Sequence, residues 1–180
     1  MIRQRKIELL APAKNLECGI AAIDHGADAV YIGAPRFGAR AAAGNSLEDI
    51  AELVKYAHLY NVRIYVTLNT ILKDEELPET EKMIWDLYKV GVDALIVQDL
   101  GMARLIKSVS PDMPIHASTQ MSLHTLGGAN FAAQLGMERV VLSRELSKGE
   151  IAEICRQCPA EIETFIHGAL CMCYSGQCTM

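Results

Sequence analysis

Short apolar runs alternate with amphipathic stretches along the whole chain. Runs rich in branched aliphatic residues predict seven strands, at Ile7–Ala11, Ala29–Gly33, Arg63–Asn69, Ala94–Gln98, Pro114–Ser118, Arg139–Ser143 and Glu161–His167. Between them, apolar residues at helical spacing predict helices over Leu16–His25, Ser46–Tyr60, Pro78–Val90, Leu100–Val109 and Thr125–Leu135, and from Ser147 to just before Pro159. The second helix carries the clearest pattern. Ile50, Leu53, Val54 and Ala57 fall on one face, and Ser46 is a good N-cap with Asp49 in the first turn. Ser147 and Glu150 form a capping box at the start of the last helix.

Three phrases fill the same slot between a helix and the next strand: His25-Gly-Ala-Asp-Ala29, Val90-Gly-Val-Asp-Ala94 and Leu135-Gly-Met-Glu-Arg139. Glycine there supplies a left-handed helix end, and the recurrence marks a repeating unit. Continuous apolar strands separated by helices call for a parallel sheet covered on both faces. No Gly-x-Gly-x-x-Gly follows the first strand, which removes the main support for a dinucleotide-binding sheet. The expected architecture is a parallel (β/α) TIM-like barrel, a single domain over residues 1–180 with about seven βα units. A full eight-stranded barrel takes about 250 residues, so a chain of 180 is expected to stop before strand eight.

Composition adds limits. Hydrophobic residues are 51% and charged residues 22% of the chain, and the net charge is −5 with no basic block. A large electrostatic footprint for nucleic acid is therefore not written in this chain, which leaves open an RNA bound through another domain or a partner subunit. No apolar run approaches the roughly 20 residues of a membrane helix. The basic start, Met1 to Lys6, leads into a strand pattern rather than a signal peptide. A cytoplasmic location is expected, and the six cysteines then read as thiols or metal ligands rather than disulfides.

In such a barrel the reacting groups stand at the C-terminal ends of the strands. That position selects Glu8, Asn69, Ser118, Gln120, Arg144 and His167, with Arg36 and Arg40 in the loop after strand two. The two arginines flank a glycine and suit an anionic ligand. Glu8 equally suits a pair with a barrel arginine. Asn69 and Ser118 equally suit turn caps, and Arg144-Glu145 a surface pair. His116 and His167 fall within predicted strands, where an imidazole can act as acid, base or ligand or rest as a satisfied core residue. No Ser-His-Asp or Cys-His pair assembles from spacing alone.

The cysteines divide into three groups. Cys18 lies mid-helix and reads as a small buried residue. Cys155 and Cys158 have the spacing of half a zinc site or a redox pair, but also of any helix face. Cys171, Cys173 and Cys178 sit in a glycine-containing loop directly after the last strand. Three thiols so close in a loop suit iron or zinc, although a full site takes four ligands.

Here the sequence resembles a known family. Glu163-Thr-Phe165-Ile-His167-Gly168-Ala-Leu-Cys171, then Ser175-Gly176-Gln-Cys178, is similar to the signature of peptidase family U32, the collagenase-like proteins. Glu8-Leu-Leu-Ala-Pro12-Ala, Gly26-Ala-Asp-Ala-Val-Tyr31-Ile-Gly33 and Val141-Leu-Ser143-Arg144-Glu145-Leu-Ser147 resemble other parts of it in order. The resemblance implies several things. Some members are RNA-base hydroxylation proteins acting on tRNA or rRNA, and these hold a 4Fe–4S cluster on four cysteines. The first two of those match Cys171 and Cys178, and the other two lie beyond Met180. Cys173 is not among the ligands carried over, and is a possible third thiol. The expected function is an iron–sulfur-dependent RNA hydroxylation enzyme whose barrel mouth binds the base or a small anionic co-substrate. A peptidase and a non-catalytic, partner-dependent binding subunit are the alternatives. The catalytic candidates are His167, Asn69 and Glu8.

Overall fold

A computed structural model describes residues 7–38, 45–168 and 172–177. Seven strands form one parallel sheet in chain order: β1 (Leu10–Ala13), β2 (Ala29–Gly33), β3 (Arg63–Leu68), β4 (Ala94–Val97), β5 (Ile115–Ala117), β6 (Arg139–Val141) and β7 (Glu161–Glu163). Between them lie the helices α1 (Leu16–Asp24), α2 (Leu47–Leu59), α3 (Leu77–Val90), α4 (Leu100–Val109), α5 (Leu126–Gln134) and α6 (Lys148–Gln157). The strand order never reverses, so there is no switch point of the doubly wound kind and the sheet curls as a barrel wall.

The repeated helix-to-strand phrases have a structural reason. Gly26, Gly91 and Gly136 adopt φ of 92°, 86° and 87°, the left-handed turn out of each helix. The acid that follows seeds the next rung of the sheet. Asp28 N–H donates to Leu9 O, and Asp28 Oδ2 accepts from Leu9 N–H at 2.9 Å. Asp93 does the same with both groups of Ile64, its carboxylate accepting at 2.7 Å.

Alternate residues of the strands face two different surroundings. Val30, Ile32, Ile64, Val66, Leu68, Leu95, Val97, Ile115 and Val140 pack outward against the helices. Ile50, Leu53, Val54 and Ala57 of α2 are all buried there, and a fully buried aliphatic side chain of that size contributes about 1.5–3 kcal/mol. On the inner side only Ala29, Tyr65, Ala94 and Ile96 form an apolar group, with Leu10 and Tyr31 beside it. Beside it stand Val141 and the polar side chains of His116, Arg139 and Glu163.

Three expectations are corrected. The first strand starts at Leu10 rather than Ile7, which is 88% exposed. The seventh ends at Glu163 rather than His167, because its only strand partner among the described residues, β6, ends at Val141. Cys18 is exposed rather than buried. The residue that faces α2 is Gly19, where a Cβ would come within 2.6 Å of Leu53 Cδ1. Among the described residues no helix is long and apolar enough to cross a membrane.

Candidate functional site

The loop that carries the thiols is docked on the C-terminal mouth, against the segments that follow β5 and β6. Ser175 is its anchor and is 1% exposed. Its N–H donates to Glu145 Oε1 at 2.8 Å, its hydroxyl donates to the same oxygen at 3.1 Å, and Arg144 N–H donates to its Oγ at 3.1 Å. Ser122 Oγ donates to Ser175 O at 2.6 Å. His124 braces the other side of Glu145, with Nε2 3.0 Å from Oε2 and Nδ1 2.8 Å from Ser122 O. Desolvation pushes the Glu145 carboxyl up, but the donors from Ser175, its own backbone and His124 outweigh that, and its pKa lies below the ordinary 4.5.

Gly176 completes the fit. Its φ is 82°, and a Cβ there would meet Gln120 O at 2.4 Å and Ser122 Oγ at 2.6 Å. Only glycine allows both that turn and that approach. Of the loop thiols, Cys173 is half-buried, while Cys171 and Cys178, on either side of the docked stretch, lie outside the described residues. Among the described residues no three His, Cys, Asp or Glu side chains come together as a metal site.

The other predicted residues divide between this mouth and elsewhere. Asn69, just past β3, donates from Nδ2 to the buried Ser118 Oγ at 3.3 Å. Ser118 also caps the short 3-10 turn Thr119–Met121. The Gln120 Oε1 and Ser143 Oγ atoms are buried at this mouth with no hydrogen-bond partner among the described residues. Such orphans call for an explanation, and a polar ligand is one. The Arg144 guanidinium lies 4.7 Å over the Phe165 ring. Arg36 pairs with Glu79 at 2.5 Å on the surface, so an anion there competes with a carboxylate. Arg40 lies outside the described residues. His167 is exposed beyond the end of β7 and does not line the barrel. Cys155 is exposed, and Cys158 caps α6 and packs against the core.

Glu8 belongs to the opposite mouth, because it precedes β1. There it pairs with Arg63 and, at 2.6 Å, with Arg139 Nη1, and it accepts from the Tyr65 hydroxyl at 3.0 Å. Arg139 Nη2 also lies 2.6 Å from Glu161 Oε2, and Nη1 lies 3.5 Å from Glu163 Oε2. Burial pushes the Glu163 carboxyl up to about 7, with Glu8 adding to it and Arg139 opposing. Burial, then Arg139 and Arg63, push His116 down to about 3, and its ring stands edge-on to Tyr65 at 4.7 Å. A cavity of about 180 Å³ opens among Arg63, Tyr65, His116 and Arg139. Glu8, Arg63, Arg139 and Glu161 pair with one another, while His116 Nδ1 and Glu163 Oε2 are buried with no hydrogen-bond partner among the described residues. Glu8 itself stands at the mouth that serves stability in barrels of this kind.

Spacing did not reveal Glu145, His124, Ser122 or Ser175 as parts of the mouth. The only available signal was the Ser143-Arg144-Glu145 stretch at a strand end.

A polar C-terminal mouth closed by a docked cysteine loop defines a class: α/β barrels with a ligand site at the strand ends. The model of peptidase family U32 matches residues 14–180, and the chain belongs to that family. It is 52% identical over 98% of its length to a 23S rRNA 5-hydroxycytidine synthase of Escherichia coli, of which it covers 27%. It is 42% identical over 98% of its length to a tRNA hydroxylation protein of Bacillus subtilis, of which it covers 42%. The chain thus spans well under half the length of these curated relatives. Among solved structures it is similar to a U32 peptidase, with TM-score 0.70 at 12% identity over 89% of this chain and 70% of that one. That likeness is one of fold.

Proposed function

We infer that this chain is the barrel portion of an RNA-base hydroxylation enzyme, acting on tRNA or rRNA, with Cys171 and Cys178 as two ligands of a 4Fe–4S cluster. The observation that carries this is the docking of the cysteine loop. Ser175 and Gly176 fix the stretch between the two thiols onto the C-terminal mouth, where a barrel does its chemistry. The relatives whose names specify 23S rRNA and tRNA hydroxylation support the substrate class. The donors fit the cofactor in kind, since thiolates are the ordinary ligands of iron–sulfur centres. A bound cluster would supply single electrons, with Cys171 and Cys178 holding two of its irons. The unpartnered Gln120 Oε1 can accept from a base N–H, and the Ser143 hydroxyl can donate to a base carbonyl or a small anionic co-substrate, beside Asn69 and Ser118.

The peptidase reading has less to stand on. Among the described residues the Ser175 hydroxyl donates to Glu145, and both nitrogens of His124 face oxygen acceptors rather than a nucleophile. The test is made in the organism that carries the gene. Deleting it should remove one hydroxylated pyrimidine from digested tRNA or rRNA, read by nucleoside mass spectrometry as a base lighter by one oxygen. Plasmid-borne wild type should restore it, and Cys171→Ala and Cys178→Ala should not. RNA with its full set of hydroxylated bases in the deletion strain sinks the proposal.

A further inference from the structure

The C-terminal mouth carries a group of exposed rings that the docked loop does not use. Tyr174 is 68% exposed and lies 6.2 Å from the His124 ring in a T-shaped arrangement. Phe165 is 43% exposed and has the Arg144 guanidinium over one face. Arg144 links the two segments: its guanidinium lies over Phe165, and its N–H donates to Ser175, the residue after Tyr174. We propose that Tyr174 and the Arg144–Phe165 pair form a stacking platform for an unpaired nucleobase of the RNA substrate.

The occupant follows from the chemistry. Aromatic faces beside a guanidinium plane are what single-stranded RNA readers use to hold a splayed-out base. The guanidinium plane over Phe165 extends the stacking surface. The platform is also pre-organised, since Ser175 and Gly176 hold the stretch beside Tyr174 in place before any ligand arrives. With a net charge of −5 and no basic block, this chain has little means of gripping the phosphate backbone. Its contribution to affinity is therefore stacking, which tolerates salt.

The inference rests on the RNA-modifying reading, and the experiment separates the two. Full-length protein is titrated with an RNA stem–loop in which one loop pyrimidine is replaced by fluorescent pyrrolocytidine. Wild type should bind and quench the fluorophore. Tyr174→Ala should bind roughly tenfold more weakly without quenching, the size expected for one stacked base. Tyr174→Phe should match wild type, and Phe165→Leu should fall between. The dependence on salt should be the same for wild type and Tyr174→Ala, because no phosphate contact is removed. Wild-type affinity and quenching in Tyr174→Ala would overturn the platform and leave the RNA reading standing. So would retained quenching with a thermal midpoint lowered by several degrees, which would show the ring packed against another part of the full protein. Failure of wild type to bind any stem–loop would remove both.

Discussion

Glu145→Ala isolates the clamp on the cysteine loop. The carboxylate accepts from the Ser175 N–H, the Ser175 hydroxyl and His124. The imidazole can turn to water, since His124 is about a third exposed, and the Ser175 hydroxyl can rotate while still accepting from the Arg144 N–H. The Ser175 amide cannot, because that residue is buried. Leaving one buried donor without its acceptor costs about 1–3 kcal/mol. At 1.36 kcal/mol per factor of ten, the loop should open roughly 5- to 150-fold more often. Hydrogen exchange of the peptide over residues 172–177 and alkylation of Cys173 should speed up by that factor. The thermal midpoint should hardly move, because the helix-covered core is untouched. The wild-type clamp has its own pH dependence. Glu145 is depressed below 4.5 in the fold, so its contribution is complete above that value and is lost as pH falls through the folded pKa. Wild type in acid should then exchange like the variant. Unchanged protection of residues 172–177 in Glu145→Ala at neutral pH would refute the clamp.

Two further substitutions test other parts. Glu163 has its carboxyl raised to about 7, so its folded form favours the proton, and the stability tied to it is present below pH 4.5 and lost as pH rises through 7. Glu163→Gln should therefore raise the thermal midpoint more at pH 8 than at pH 5, and an equal shift at both would contradict that. Gly176→Ala combines a left-handed φ with a backbone clash at Gln120 O. It should free the loop at a local cost of about 1–2 kcal/mol or more, seen as faster proteolysis after the barrel with unchanged far-ultraviolet dichroism.

The barrel was legible because each of its units repeats the same local physics. Apolar strands, amphipathic helices, and a glycine followed by an acid at Gly26, Gly91 and Gly136 all point to one answer. The ends were harder to place. Hydropathy favours Ile7 and Ile166 as strand residues, yet both are exposed, because a strand extends only as far as its neighbour does. The thiol loop stood out in the sequence, but its fastening did not. Glu145 grips a backbone amide, which leaves no trace in residue identity, and His124 joins it only because distant segments fold together. Glu8 shows the same limit in reverse. Its arginine partners were foreseeable, but as the second residue of the expected strand Ile7–Ala11 it already stood at the N-terminal end, and the structure places it before β1.

The ion pair between Glu8 and Arg139 joins residues 131 apart in sequence. At a synthesis rate of about 5–20 residues per second, Arg139 leaves the ribosome roughly 7–26 s after Glu8. Arg63, only 55 residues from Glu8, is the earlier to emerge of the two arginines that pair with that carboxylate in the fold. The early strands can therefore assemble with Glu8 provisionally neutralised. The arrival of Arg139 then joins β6 to the segment before β1, so this one pair fastens together elements made far apart in time.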